Sequence, residues 1–470
     1  MAWVRWIGLV LSVVWVAGAA AQPRAARLPE AVVTQLRVAK IPPAALGAML
    51  VPLTGPGLEL RHNETQLLNP ASTMKLVTTL AGLELLGPQF TWRTEVLAES
   101  VPRAGALEGD LFIRGSGDPA FVIENLWLLT QRLRGAGIRE IRGDLVLDRS
   151  AFEAVAHDPA AFDGEALRPY NAGPDALLLN YKTISLNFIP EPDGKTARVY
   201  AMPQVAGLVL PAHVRVEAGP CSDWRARLGG DFTDPLRPQF RGAYPLACGE
   251  RAWHLNLLEP TRYFEMVFRS LWEAGGGTLT GRVRDGAPSP SARVLAVQES
   301  RPLAEVIRDI NKFSNNVMAR QLFLSLAVNG DKSPATTARA QAVVADWLGG
   351  KGIGANEFVL DNGSGLSRVE RISPRALARL LVAAYVSPWM PEFMSSMPIV
   401  GVDGTMKKRN GAVGSAHIKT GLLADSRAIA GYVLASSGRR YAVVAIVNHA
   451  NAGAATPALD ALLNWIYING

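Results

Sequence analysis

Ser72 and Lys75 are the residues whose types and spacing best fit covalent chemistry in this chain. They lie in the segment 69–80, NPASTMKLVTTL, where apolar spacing predicts a helix that ends at Gly87 and Pro88. Lys75 then lies one helical turn from Ser72 on the same face. A desolvated lysine there could accept the proton of a hydroxyl that lies near the positive helix end. Taken alone, the pattern is better explained as a serine helix cap with a solvated lysine.

A second polar cluster interrupts a helical pattern at 311–316, NKFSNN, and places Ser314 two residues before Asn316. The pattern predicts one helix over 302–310 and another over 317–327, separated by poor helix formers. At such a junction both side chains can point into one cleft. A cap between the two helices is the simpler interpretation when this cluster is considered alone.

A third candidate lies on a predicted strand near the C-terminus, 416–423, with the sequence AHIKTGLL. Its alternation places Lys419 and Gly421 on one face. Two further strands are predicted over 428–435 and 441–448. Together with an N-terminal hairpin and a C-terminal helix, they indicate an antiparallel sheet with helices on its faces.

The first and second clusters are separated by 314 − 72 = 242 residues, but the second and third by only 419 − 314 = 105. The long interval contains short, alternating segments with turns, most clearly from 171 to 260. These features predict an inserted, mostly β region that carries no acid–base set of its own.

The composition excludes several classes of protein. The chain has 470 residues, 49% of them hydrophobic, which allows two or three domains with substantial cores. Its net charge of +7 comes from dispersed basic residues without interleaved aromatic side chains, so a nucleic-acid platform is not indicated. Beyond the N-terminus, no segment reaches the length of a membrane span.

The N-terminus has the layout of a cleavable export signal. Arg5 precedes an apolar run over 6–16, and an Ala-x-Ala pattern ends at Ala21. We therefore expect residues 1–21 to be a signal peptide, with a retained membrane anchor as the alternative.

Export makes the two cysteines informative. Cys221 and Cys248 are 27 positions apart, and a disulfide is the default interpretation in an oxidising compartment, with two buried thiols as the alternative. The six histidines show no ligand spacing, so neither a metal site nor a cofactor is indicated.

The three clusters occur in the order Ser-x-x-Lys, Ser-x-Asn and Lys-Thr-Gly, a set associated with penicillin-binding proteins and class A β-lactamases. The sequence resembles the penicillin-binding protein 4-type D-alanyl-D-alanine carboxypeptidase/endopeptidase family over essentially all of the mature chain. The resemblance includes YNAGP at 170–174 and DNGSGLSR at 361–368. Asn315 is a departure, because the motif often has aspartate there, at a position that tolerates the change.

The resemblance implies an α/β (α+β) fold. A penicillin-recognising transpeptidase/β-lactamase-like domain, with an antiparallel sheet and helices on both faces, would carry two inserted, mainly β domains. The expected bounds are 22–90 with 291–470 for the peptidase domain, 91–172 with 259–290 for inserted domain II, and 173–258 for the nested β domain III.

The resemblance also implies roles for the motif residues. Ser72 would attack the carbonyl between two D-alanines and form an acyl-enzyme, and Lys75 would accept its proton. Nearby Lys419 is a plausible cause of the lowered pKa that Lys75 needs. Ser314 would relay a proton to the departing amine, and Asn316 would hold the substrate amide.

Lys419 and Thr420 would bind the terminal carboxylate of the substrate. The oxyanion hole would be the backbone N–H groups of Ser72 and Leu422, with Gly421 letting the substrate approach the strand. Water would then release the acyl group, whereas penicillins would acylate the same serine and leave slowly.

Four further residues are candidates for gripping the diaminopimelate end of a stem peptide: Asp163, Glu165, Tyr170 and Arg368. The expected partners are therefore peptidoglycan peptides, with β-lactams as covalent inhibitors. The expected location is the periplasm, without a transmembrane anchor. The oligomeric state stays open, with a homodimer among the alternatives.

Two other functions stay open at the level of sequence. One is a β-lactamase or esterase of the same fold, although the long insertion and the absence of a Glu-x-x-x-Asn pattern between the second and third motifs argue against a compact class A enzyme. The other is a non-catalytic binder of wall peptides, which the intact motifs disfavour.

Overall fold

The computed structural model describes residues 27–328 and 333–470, so the predicted signal peptide lies outside the described residues. The helices are α1 (Glu30–Val38), α2 (Lys75–Leu85), α3 (Ile123–Gly135), α4 (Trp224–Leu228), α5 (Pro260–Ala274), α6 (Leu303–Lys312), α7 (Asn316–Ser325), α8 (Thr337–Gly350), α9 (Pro374–Val386), α10 (Met390–Ser396) and α11 (Thr456–Asn469). Among these residues, no helix is both long enough and apolar enough to cross a bilayer.

The strands are mostly short. They are β1 (Leu46–Pro52), β2 (Leu60–His62), β3 (Arg93–Ala98), β4 (Ala106–Leu107), β5 (Leu111–Arg114), β6 (Glu140–Ile141), β7 (Leu145–Asp148), β8 (Ile184–Pro190), β9 (Thr196–Met202), β10 (His213–Glu217), β11 (Gly230–Asp231), β12 (Gln239–Phe240), β13 (Tyr244–Pro245), β14 (Arg251–Leu255), β15 (Thr278–Leu279), β16 (Val283–Asp285), β17 (Arg293–Glu299), β18 (Phe358–Val359), β19 (Arg371–Ile372), β20 (Ala416–Leu422), β21 (Ser426–Leu434) and β22 (Arg440–Asn448).

The sheet that carries the third motif has the strand order β2-β1-β22-β21-β20, and every pair in it is antiparallel. Its central strand β22 is buried on both faces. Val444 belongs to one buried cluster with residues of α2, α6, α7 and α9, whereas Val443 belongs to another with residues of α1 and α11. The predicted antiparallel sheet with helices on both faces is confirmed, and both ends of the chain contribute to it.

The long interval between the first two motifs forms several small sheets. One five-stranded sheet has the order β16-β7-β5-β3-β17, and another has the order β13-β10-β9-β8-β14. Buried apolar residues from Val96 to Leu279 form one continuous cluster beneath them. The predicted disulfide between Cys221 and Cys248 is present, with the two Cα atoms 4.7 Å apart.

Some helices were not predicted from the sequence. One is α10, where Phe393 and Met394 are buried against the helical layer. Its few apolar residues give no periodic signal, so packing decides its structure. Helices α8 and α9 were not predicted, although Thr336 and Ser373 cap their N-termini as such residues commonly do.

Candidate active site

Ser72 lies in a 3₁₀ turn, Ala71–Met74, that leads directly into α2. Asn69 shapes the approach to this turn: its Oδ1 accepts a hydrogen bond from the N–H of Ala71 at 2.9 Å, and its Nδ2 donates to the carbonyl of Ser367 at 2.9 Å. Ala71 itself adopts a φ of +47°, which is uncommon for a residue with a side chain. The turn leaves Ser72 partly exposed at the start of a buried helix.

Lys75 is fully buried, and its Nζ contacts three oxygens. It lies 3.0 Å from Ser72 Oγ and 2.6 Å from Asn316 Oδ1, and it donates a short hydrogen bond to the carbonyl of Ser364. The amide and the carbonyl oxygens can only accept, whereas the serine hydroxyl can also donate. A neutral amine can therefore donate to the two oxygen acceptors and point its lone pair at Ser72.

The electrostatic surroundings favour that neutral amine. Burial is the largest cause that lowers the pKa of Lys75 well below its usual value, and the positive charge of Lys419 lowers it further. Glu370 opposes the shift, and Arg320 adds to it. The expected effect of Lys419 is present, but it is secondary to desolvation.

The second motif joins α6 to α7, and its middle residue is the helix cap. Asn315 accepts a hydrogen bond from the N–H of Met318 at 3.1 Å, which satisfies one of the free donors at the start of α7. Ser314 adopts a φ of +57°, and Asn316 begins the helix. The cap thereby leaves the side chains of Ser314 and Asn316 available to the two lysines.

Lys419 lies on the edge strand β20 and is fully buried. Its Nζ is 2.9 Å from Ser314 Oγ and 2.9 Å from the carbonyl of Thr420. Burial lowers its pKa to about 7. Thr420 Oγ1 lies 2.8 Å from Thr405 Oγ1, which links the strand to the loop before it.

The glycine at position 421 has a structural reason in addition to the expected one, which is to let the substrate approach the strand. A Cβ on Gly421 would lie 2.5 Å from the carbonyl oxygen of Pro70, so the strand closely approaches the chain just before the Ser72 turn. Gly421 thus permits contact between the third and first motifs in the absence of substrate. Leu422, whose N–H is a candidate oxyanion donor, has a side chain that is 59% exposed at the rim.

Asn311 and Lys312, shortly before the Ser-x-Asn motif, connect it to neighbouring elements. Asn311 is buried, and its Nδ2 donates to Thr79 Oγ1 at 3.1 Å and to Ser396 Oγ at 2.9 Å. Lys312 is only 4% exposed and forms an ion pair with Asp403 at 2.5 Å. The quoted segment 311–316 contained both residues, but sequence reasoning assigned them no task because their partners are remote in the chain.

The glycine-punctuated loop predicted over 361–368 forms one wall of the site. Thr78 Oγ1 donates to the carbonyl of Gly363 at 2.6 Å, and Ser364 supplies the carbonyl that Lys75 contacts. A Cβ on Gly365, whose φ is +77°, would lie 2.7 Å from the backbone nitrogen of Ser72. Sequence reasoning included the loop in the resemblance but missed Ser364 as a partner of the lysine.

Four residues were predicted to grip the diaminopimelate end of the substrate, and they are called the rim candidates. Two of them, Asp163 and Tyr170, are hydrogen-bonded to each other. Tyr170 Oη donates to Asp163 Oδ2 at 2.8 Å, and Asn171 Nδ2 donates to Asp163 Oδ1 at 2.8 Å. Partial burial acts to raise the pKa of Asp163, but the N–H of Glu165 and these two hydrogen bonds outweigh it, so the pKa is below its usual value. Asp163 is therefore held as a carboxylate at the protein surface.

The other two rim candidates have different partners. The guanidinium of Arg368 stacks over the ring of Phe162 at 4.4 Å, and its Nη1 lies 3.7 Å from Asp425. Phe162 is adjacent in sequence to Asp163, so Arg368 lies close to the Asp163–Tyr170 pair. Glu165 instead forms an exposed ion pair with Arg168 at 3.1 Å.

No candidate metal site is present among the residues that the structure describes. No group of three or more histidine, cysteine, aspartate or glutamate side chains there could hold a metal ion.

A serine beside a buried amine, a second serine beside a second buried lysine, and the edge strand that carries this lysine together define a serine hydrolase with the penicillin-recognising fold. The chain belongs to the D-Ala-D-Ala carboxypeptidase 3 (S13) family, whose model matches residues 31–466. The predicted family and enzyme class, a peptidoglycan-acting D-Ala-D-Ala carboxypeptidase, are thereby confirmed.

Relatives span most of the chain. A D-alanyl-D-alanine carboxypeptidase of Actinomadura sp. (strain R39) is 30% identical over 436 residues, which cover 87% of this chain and 78% of the relative. D-alanyl-D-alanine carboxypeptidase DacB of Haemophilus influenzae is 28% identical, with 83% of each chain covered. The crystal structure of penicillin binding protein 4 from the same species shares the fold, with a TM-score of 0.77 at 24% identity, and covers 93% of this chain and 99% of that one.

Proposed function

We propose that the protein is a periplasmic serine DD-peptidase that trims stem peptides and cleaves cross-links of peptidoglycan through an acyl-enzyme on Ser72. One observation carries the assignment of Ser72: its Oγ lies 3.0 Å from the buried amine of Lys75, whose other two contacts are to oxygens. A serine hydroxyl so placed can lose its proton as it attacks a carbonyl.

The reaction follows from the contacts. Ser72 Oγ attacks the carbonyl carbon between two D-alanines, and its proton passes to Lys75 Nζ. Backbone N–H groups of Ser72 and Leu422 stabilise the oxyanion. The C–N bond then breaks, and the leaving amine takes a proton through Ser314, whose hydroxyl contacts Lys419. Water finally hydrolyses the ester and restores the hydroxyl of Ser72.

Lys419 also accounts for substrate choice. A lysine whose pKa is near 7 is charged for only part of the time in the free enzyme. A carboxylate brought beside it raises that pKa and is itself stabilised in the dry cleft. D-alanine at a chain end presents such a carboxylate, and so does a β-lactam with its ring carboxylate. One H. influenzae penicillin binding protein 4 structure contains a β-lactam.

The function is tested by comparing three substrates on the purified protein. We expect release of D-alanine from a diaminopimelate-containing pentapeptide, cleavage of a cross-linked muropeptide dimer, and a long-lived covalent adduct with a fluorescent penicillin. Rapid hydrolysis of penicillin with slow peptide cleavage would instead indicate a β-lactamase. Absence of both cleavage and adduct would indicate a binder of wall peptides.

The proposed role of Asp163 predicts selectivity for substrates that contain diaminopimelate. Asp163→Asn is expected to lower kcat/KM for the diaminopimelate pentapeptide about 10- to 150-fold, because a charge-assisted hydrogen bond to an ammonium contributes roughly 1.5–3 kcal/mol. Penicillin acylation should change little, since that ligand has no diaminopimelate. Measured rates for both ligands separate the effects.

Asp158→Asn is the matched control, because Asp158 lies on the same segment and only accepts a local hydrogen bond from Ala160. If both variants lose the same fraction of peptide activity, Asp163 has no special part in binding. Equal loss towards penicillin and peptide would also contradict the assignment of Asp163 to the diaminopimelate end.

A further inference from the structure

Glu370 is a carboxylate at the centre of the active-site wall that the mechanism above does not use. It is fully buried, and it lies two residues beyond the 361–368 loop, just before β19. Its partners are backbone groups of the loop that faces Ser72 and Lys75.

Both carboxylate oxygens of Glu370 accept backbone hydrogen bonds. Oε1 accepts from the N–H of Asn362 at 3.1 Å and of Gly363 at 2.8 Å, and Oε2 accepts from the N–H of Gly365 at 2.8 Å. An ionised carboxylate can only accept, so this set of donors matches the charged form. A neutral acid or an amide would direct a donor towards one of these N–H groups.

The same loop makes the contacts that define the site. Between the anchored residues lies Ser364, whose carbonyl accepts from Lys75 Nζ, and Gly365 packs against the peptide that leads into Ser72. A shift of this loop would therefore displace both the base and the nucleophile. Displacements of about 1 Å can lower a reaction rate by as much as about 100-fold.

Charged groups on several elements act on Glu370. Burial raises its pKa to about 7, and Asp361 on the loop raises it as well, whereas the N–H donors and the ammonium of Lys75 on α2 oppose that shift. Burial lowers the pKa of the Arg320 guanidinium on α7, and the charge of Glu370 opposes that shift. The charged form of Glu370 is thus favoured by its backbone donors and by the ammonium that Lys75 becomes when it accepts the proton of Ser72, whereas burial and Asp361 oppose it.

We propose that Glu370 is a positioning residue of the acylation step: its carboxylate fixes the 362–365 backbone against Ser72 and Lys75 and balances the charge of the Lys75 ammonium. The proposal rests on the proposed function, since it assumes that Lys75 is the base for Ser72. The positioning of the backbone affects the maximal rate of acylation. The balancing of charge affects how that rate depends on pH.

The test measures the second-order rate of acylation by a fluorescent penicillin as a function of pH. Glu370→Gln should lower the maximal rate roughly 10- to 100-fold, because the amide repels one backbone donor and shifts the loop. It should also move the acid limb of the pH–rate profile, where the rate falls as Lys75 becomes protonated, to lower pH by roughly one unit. The reason is that loss of the negative charge lowers the pKa of Lys75. Glu370→Asp keeps the charge, so its acid limb should stay at the wild-type pH although its maximal rate falls.

Glu357→Gln is the matched control. Glu357 is another buried glutamate, 5% exposed, but it pairs with Arg375 and Arg379 and contacts none of the motif residues. That variant should unfold at a lower temperature and keep the wild-type pH profile. An unmoved acid limb in Glu370→Gln, or the same movement in Glu357→Gln, would overturn the proposal. Failure of the wild-type enzyme to form an adduct would overturn the proposed function instead.

Discussion

Replacing Ser72 with alanine is expected to abolish the covalent adduct with penicillin and to lower D-alanine release on the order of 10⁴-fold or more. The hydroxyl oxygen is the atom that forms the ester, so no other change in the site can compensate. Ser72 is partly exposed, and its described side-chain hydrogen bond is to Lys75, so the fold should lose only about 1 kcal/mol. Mass spectrometry of the intact protein after exposure to penicillin measures the adduct.

Ser373→Ala is the control for this variant. Ser373 also stands at the start of a helix, where its hydroxyl accepts a hydrogen bond from the N–H of Ala376. Its loss should destabilise the protein by about 1 kcal/mol and leave the adduct intact. A full adduct on Ser72→Ala would show that another residue is the nucleophile.

Replacing Lys75 with methionine is expected to slow acylation by about 10²- to 10⁴-fold at every pH, because Ser72 loses the group that accepts its proton. Methionine fills a similar volume without the amine. It leaves the acceptors on Asn316 and Ser364 unpaired, so thermal unfolding should be measured beside the rate. A Lys75→Met variant that acylates at the wild-type rate would contradict the assignment of the base.

Lys419→Met is the informative comparison, since it removes the other buried amine. Lys419 lowers the pKa of Lys75, so its removal raises that pKa and should move the acid limb of acylation to higher pH. This direction is opposite to the one expected for Glu370→Gln. A limb that moves to lower pH in Lys419→Met would mean that the two lysines are not coupled as proposed.

The local sequence could indicate the candidate residues of the site because each motif carries its own structural context. Ser72 and Lys75 are one turn apart whatever the rest of the chain does, and the alternation of 416–423 predicts a strand with Lys419 facing one side. Their convergence could be expected only from the resemblance. The structure places the Oγ of Ser72 within reach of the amine of Lys75, as that expectation required.

The supporting contacts could not be predicted, because they join residues that are remote in the chain. Asp403 is 91 positions from Lys312, and the carbonyl of Ser364 is 289 positions from Lys75. Nothing in the local composition around Glu370 distinguishes it from a solvated surface glutamate. Only the folded backbone shows that three N–H groups converge on it.

The capping amide of Asn315 restricts how the Ser-x-Asn triplet can vary. Its oxygen satisfies the backbone donor of Met318, a task that aspartate, serine or threonine could perform equally well. Charge at this position can therefore drift between homologous enzymes, whereas an aliphatic residue would leave a bare amide next to the proton-transfer apparatus. A sequence motif for such peptidases should therefore describe the middle residue of Ser-x-Asn by its ability to accept a hydrogen bond, and not by its charge.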